Sequence, residues 1–236
     1  MDRAVEILVI SPADRWLISV GVPHVRARYH GKHRHPGTNI DDGSHRGTFT
    51  DSRIELHCQV LEKSFAFTPF VGLVVPTHHY PAHGHAAPGR DLDEQSIELF
   101  LGKRLDEWLP RTYIQGRYNS SFIEKLIGVS HNRSNAKLEL GYFFSPRWSV
   151  RALVSWQKTH GGIDVPVPPS SRYYPYHDQL AAERYVQAGG GLAWSLGTSS
   201  NVYLHYLKGL SGGNGHRLSN GFTLGFAHSF SIAREP

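Results

Sequence analysis

Sixteen histidines and a scatter of paired-sign charges are the residues of this sequence best equipped for chemistry. His30, His33, His35 and His45 share one polar stretch, and THHYPAHGH places His78, His79, His83 and His85 in another. Imidazoles converging from two such loops could hold zinc or copper. Their spacing is irregular, no cysteine joins them, and no carboxylate follows the second group until Asp91, so solvated loop histidines satisfy the pattern equally. Acyl transfer would need a serine within reach of a histidine oriented by a third polar group. SHNRS offers Ser130, His131, Asn132 and Ser134. Adjacent residues of an extended chain point to opposite faces, which works against a Ser130–His131 pair. His160, beside Thr159, offers nothing better. QAGGGLAW sits in a strand pattern with no helix after it, so its glycines read as close packing or curvature rather than a phosphate loop. No catalytic residue, metal ligand or cofactor is assigned.

A second set of polar residues recurs at every other position. Arg53, Glu55, His57 and Gln59 alternate with Ile54, Leu56, Cys58 and Val60. Glu98 is flanked by Ile97 and Leu99, and Tyr113, Gln115 and Arg117 alternate with Ile114, Gly116 and Tyr118. Lys137 and Glu139 oppose Ala136, Leu138 and Leu140, while Arg151 and Gln157 oppose Val150, Val154 and Trp156; His205 joins them in a later segment. Period two marks strands that meet two different environments. Charges of both signs in such number cannot be dry and unpaired, since each alone costs several kcal/mol to desolvate. These thirteen positions are expected to face a common interior. Arg117, Lys137 and Arg151 set against Glu55, Glu98 and Glu139 would make an electrostatic filter for a pore; a salt-bridged plug would satisfy the same residues.

The elements that carry them read as eleven strands, with Val5–Ile10 and Arg15–Val25 first and Val202–Leu207 and Gly221–Ser231 last. Connections alternate between short turns near residues 12, 63, 108, 146 and 198 and long loops near 40, 85, 128, 170 and 214. That sorting fits a barrel with one periplasmic and one exterior end better than a soluble sandwich. The 236 residues are 39% hydrophobic and 19% charged, with no stretch near the ~18 apolar residues of a spanning helix. A barrel escapes that test, because its lumen-facing positions dilute the signal. Cys58 is the sole cysteine, which forbids an internal disulfide, and the +5 charge is not clustered as a nucleic-acid surface would be, so no nucleic-acid partner is expected. The ending GFTLGFAHSF sets Phe222, Leu224 and Phe226 in a row with Phe230 near the terminus, ahead of Ser231–Pro236. It resembles the C-terminal strand signal that the barrel assembly machinery recognises. Single-chain barrels have even strand numbers. Met1-Asp-Arg-Ala-Val-Glu also lacks the basic start and apolar stretch of a secretory signal. The expectation is therefore one barrel domain over residues 1–236, about twelve strands in the complete protein, with a signal sequence and first strand ahead of this chain.

Three segments carry a resemblance: PADRWLISVGVPHVRARYHG, GTFTDSRIELHCQVLEKSFAFTPFVGLVVPTHHYP and LELGYFFSPRWSVRALVSW. Together they resemble a bacterial outer-membrane family named for phenol-degradation meta-pathways, over roughly residues 12–231. In that family a strand ends in a Val-Pro step, here Val22-Pro23, and after a polar loop and a Gly/Asp-containing stretch, here Gly47 to Asp51, a second strand ends in Pro-Thr, here Pro76-Thr77. The resemblance implies an all-β, antiparallel up-and-down transmembrane barrel in the bacterial outer membrane, non-enzymatic, touching outer-membrane lipid and passing small hydrophobic or aromatic solutes. The alternatives are a structural or assembly barrel with a plugged lumen and a lipid hydrolase.

Overall fold

The computed structural model describes residues 2–32, 34–35, 38–63, 65–215 and 219–229. His33, Phe230 and the Ser231–Pro236 extension lie outside these residues. Twelve strands follow in order: β1 (Asp2–Ala13), β2 (Trp16–Ala27), β3 (Arg46–Phe49), β4 (Asp51–Cys58), β5 (Ala66–Pro76), β6 (Glu94–Arg104), β7 (Thr112–Ile123), β8 (His131–Phe143), β9 (Trp148–Gly161), β10 (Arg184–Ser195), β11 (Ser200–Gly213) and β12 (Asn220–His228). A short helix α1 (His177–Leu180) lies in the loop before β10. Eleven strands form one antiparallel sheet in the order β1-β2-β4-β5-β6-β7-β8-β9-β10-β11-β12, with β3 paired to the end of β2. The sheet curves as a half-barrel. β1 and β12 run the same way, and no pairing joins them among the described residues.

Short turns and long loops segregate to opposite ends, as the sequence pattern predicts. The short connections are 14–15, 59–65, 105–111, 144–147 and 196–199; the loops at the other end include 28–45, 77–93 and 162–183. The register also preserves the alternation. Arg117, Lys137, Ser155 and Gln187 lie opposite one another across β7 to β10, and Tyr118, Ala136, Trp156 and Val186 do the same on the other face. That second face bares Ile54, Leu56, Val71, Leu73, Ile97, Leu101, Leu138, Leu140, Val150, Val154, Leu204 and Leu224. Each such side chain moved from water to hydrocarbon is worth ~1.5–3 kcal/mol, and a soluble monomer rarely exposes a contiguous apolar patch above a few hundred Å². Hydrocarbon is the medium this face matches. Trp16, Trp148 and Trp194 cluster toward the short-turn end, where an aromatic belt meets the membrane–water interface. The Trp148 and Trp194 rings stack across β9 and β10 with centroids 5.3 Å apart and planes 5° from parallel.

Several boundaries differ from the sequence expectation. β2, expected over Arg15–Val25, runs on to Ala27, past the Val22-Pro23 step at which the family resemblance ends the strand. Up to Gly21 it pairs with β4, and from His24 onward with β3, so Pro23 falls at the change of partner, where a missing N–H costs least. The polar stretch 26–50 therefore contains a strand, β3. β1 extends to Ala13, with a register irregularity between Ile10 and Ala13 that accommodates Pro12. β8 starts at His131, making SHNRSN strand rather than loop, and β11 extends through Gly213.

The 105–111 turn is set by Asp106, whose Oδ2 accepts from Arg104 Nε at 2.6 Å and whose Oδ1 accepts from the Arg111 backbone N–H at 2.8 Å. The bond from Arg104 holds the Asp106 carboxyl below the usual carboxylate range, and the Arg111 amide adds to it. A depressed folded value means the contribution is complete above the unfolded value, about pH 4, and is lost as pH falls through the folded one. Amide exchange in this turn, taken relative to the intrinsic rate at each pH, should therefore accelerate as pH falls below about 4. An Asp106→Asn protein should not show that acceleration; a turn equally pH-sensitive in both would remove Asp106 as its cause.

Candidate functional site

The inward face gathers its charges into a bonded network. Glu55 on β4 takes Arg53 Nε at 2.5 Å, Arg117 Nη2 at 2.7 Å, the Ser19 hydroxyl at 3.0 Å and His57 Nε2 at 3.0 Å. Glu98 on β6 takes Arg117 Nε at 2.9 Å and Nη2 at 2.6 Å, the Ser96 hydroxyl at 2.7 Å, and a close contact from Arg53. Two carboxylates thus share two guanidiniums. Arg117 lies over the Phe70 ring, 4.8 Å from its centroid, and His57 stacks on the same ring at 4.3 Å. The crowding explains Gly72 beneath them, where any Cβ would run into Ser96, Glu98 and Arg53.

Toward the short-turn end, Glu139 accepts from the Tyr113 hydroxyl at 2.7 Å, with Arg151 Nη1 at 3.4 Å and Lys137 Nζ at 3.9 Å. Gln157 accepts from the Tyr185 hydroxyl at 3.1 Å. Arg133 Nε, Arg151 Nε, Thr159 Oγ1 and His205 Nε2 are buried with no hydrogen-bond partner among the described residues. A cavity of about 410 Å³ opens beside Arg53, Glu98, Arg117, Asn119 and Asn135, in the size range of small-molecule sites.

At the long-loop end the mouth is tied by loop residues. Arg133 pairs closely with Glu94, Arg90 Nη2 meets Glu183 Oε2 at 2.8 Å, and Gln179 Nε2 donates to the Arg90 carbonyl at 2.6 Å. Burial pushes the Arg90 guanidinium down to about 10, with the Arg133 charge adding to the shift. Tyr80 donates to Asp51 and accepts from the Asp91 amide at 2.8 Å. Burial, then that bond to Asp51, raises the Tyr80 hydroxyl well above its ordinary value. Asp41 is 2% exposed and accepts backbone N–H bonds from His35, His85 and Ala86, which stitches loop 28–45 to loop 77–93.

Of the thirteen positions read from the sequence, Arg53, Glu55, His57, Glu98, Tyr113, Arg117, Lys137, Glu139, Arg151, Gln157 and His205 sit on the inward face, and Gln115 shares their parity half-buried. Gln59 lies past the end of β4, accepting from Thr68 Oγ1 at 2.7 Å in the short-turn region. Opposing walls of single sign are not what forms: Arg53 and Arg117 are locked to Glu55 and Glu98 side by side. Glu94, Asn119, Arg133 and Asn135 belong to the same face. Glu94 opens β6 and Arg133 lies near the start of β8, where extending the alternation toward the strand ends finds them. Ser19 and Ser96 also lie on the polar parity of their strands, though uncharged; Arg90 and Glu183, in loops, carry no such signal.

A serine–histidine contact exists, though not at Ser130–His131. Ser134 Oγ lies 2.8 Å from His160 Nε2 and accepts from the Tyr118 hydroxyl at 3.2 Å, on the outward face. No side chain orients the other His160 nitrogen among the described residues. His131 is fully enclosed. The loop histidines are not uniformly solvated either: His35 is 4% exposed and stacked beside His177.

A curved antiparallel sheet with a polar, ion-paired interior and an apolar exterior is the architecture of an outer-membrane β-barrel. Among solved structures, the chain is similar to an outer membrane channel from Pseudomonas putida F1, with TM-score 0.64 and 12% identity over 94% of this chain and 79% of that one. At that identity the likeness is one of fold. No family model and no curated protein matches the sequence.

Proposed function

We propose that this protein is a channel of the bacterial outer membrane through which small solutes diffuse passively, with the Arg53–Glu55–Glu98–Arg117 quartet as its constriction. The observation that carries the reading is the pairing of a polar, ion-paired inward face with an outer face suited to hydrocarbon; the fold shared with a known channel supports it. Lumen groups such as Tyr113, Tyr185 and the Arg117–Phe70 pair offer ring faces and hydrogen bonds together. That chemistry favours small aromatic solutes bearing polar groups over plain hydrocarbons, in keeping with the family resemblance of the sequence. Outer-membrane lipid surrounds the sheet, and the assembly machinery engages the C-terminal strand. Among the described residues no third group orients the Ser134–His160 contact for acyl transfer, and no reaction is assigned.

Planar bilayers containing the purified protein should show discrete conductance steps. Replacing Arg151, which projects into the lumen beside Glu139, with glutamate should shift the reversal potential in a salt gradient toward cation preference. Bilayers that carry the folded protein and pass neither ions nor small aromatic acids would end the channel reading and leave the fold standing.

A further inference from the structure

We propose that His35, His177 and Asp178 form a binding site for a divalent transition metal, zinc or copper, that clamps the segment carrying His35 to the loop 162–183. One donor atom from each residue lies within 4.8 Å of the other two. The Tyr174 carbonyl oxygen, which can only accept, lies 2.7 Å from His177 Nδ1, so in the neutral ring Nδ1 carries the proton and Nε2 presents the lone pair. That lone pair faces Asp178 Oδ1 at 3.3 Å. The two atoms can share a proton as an imidazolium–carboxylate pair, or bind one metal ion between them. The backbone carbonyl on the far nitrogen is the arrangement that orients metal-bound imidazoles.

The third donor comes from 142 positions away in sequence. His35 Nε2 lies 3.3 Å from His177 Nδ1, with the two rings stacked at 4.8 Å and 12°. The 3.3 Å from His177 Nε2 to Asp178 Oδ1 matches the edge of a tetrahedron built on metal–ligand bonds of about 2.0–2.1 Å. Imidazole lone pairs lie in the ring plane, so metal binding turns the His35 ring out of this stack until its nitrogen meets the centre held by His177 Nε2 and Asp178 Oδ1. His35 is held for this by its amide bond to Asp41 at 3.0 Å and by stacking on Tyr174 at 5.5 Å. Two imidazoles and one carboxylate select borderline transition metals over calcium or magnesium, and a fourth position is left for water. His83 Nδ1 donates to the Pro175 carbonyl at 2.7 Å, so the clamp closes on a cap that already joins loop 77–93 to loop 162–183.

The site does not depend on the channel reading, and its test needs no transport. Zinc binding to the whole protein in detergent, followed by isothermal titration calorimetry, should give one ion per chain with micromolar or tighter affinity. His35→Ala, His177→Ala and Asp178→Asn should each weaken it at least about tenfold, while His45→Ala, on an exposed loop position, should not. Cobalt should give the intense visible absorption of four-coordinate nitrogen/oxygen ligation in the parent and lose it in His177→Ala. Unchanged circular dichroism in each variant separates ligand loss from misfolding. No stoichiometric zinc, or binding that survives all three substitutions within threefold, would overturn the proposal.

Discussion

Replacing Glu98 with glutamine is expected to destabilise the folded protein by about 2–3 kcal/mol and to enlarge the single-channel conductance. The Glu98 side chain is wholly enclosed and meets Arg53, Arg117 and Ser96. Removing one partner of a buried ion pair costs about 3–5 kcal/mol when the other is stranded. Here Arg53 and Arg117 keep 31% and 42% of their side chains exposed to the lumen, and water there screens what remains, which sets the lower figure. Glutamine keeps the size and still accepts from Ser96, so the loss is one of charge. Arg117 would then be held by Glu55 alone and would swing from the constriction. Urea titrations in vesicles measure the first effect and bilayer recording the second. Adding Arg117→Gln should cost less than the sum of the single changes, because both report one interaction. Strict additivity would mean that the quartet is not an energetic unit.

The second large effect lies on the opposite face of the neighbouring strand. Leu138 is half exposed near the middle of β8, directly across from Val154, and arginine there should cost about 2–4 kcal/mol. Phe122, one residue from the end of β7 at the long-loop side, lies near the interface, and arginine there should cost about 0–1 kcal/mol. Lys137 shows that the next position in the chain already tolerates a cation, so depth and facing, not strand propensity, decide the difference. Refolding into phospholipid vesicles under urea gives both numbers. Equal costs at Leu138 and Phe122 would place something other than hydrocarbon against the sheet.

The two faces of the sheet were legible in the sequence because a strand's period is two residues regardless of how the sheet bends. Glu55, Glu98, Arg117 and Glu139 could be sorted inward without knowing any neighbour. Their partners could not. Arg117 reaches Glu55 across two intervening strands, a contact made by curvature, and curvature has no local pattern. Strand ends were the weak point: Pro23 reads as a terminator until its two successive partners are known, and the polar run SHNRSN reads as loop because its outward residues Asn132 and Ser134 are not apolar. The loop histidines show the same limit at longer range. His35 could be noticed in its cluster, but His177 stands alone in a stretch of Tyr and Pro, and only the folded loops bring it to His35.

The stacked indoles of Trp148 and Trp194 have a consequence for following this protein. Their nearly parallel, stacked rings sit at the rung where the start of β9 meets the end of β10, so their electronic transitions couple when those strands are in register and decouple when they slip by one residue. The hairpin therefore carries its own exciton signal, a dichroic couplet that distinguishes a correctly registered sheet from one that is merely collapsed onto a lipid surface.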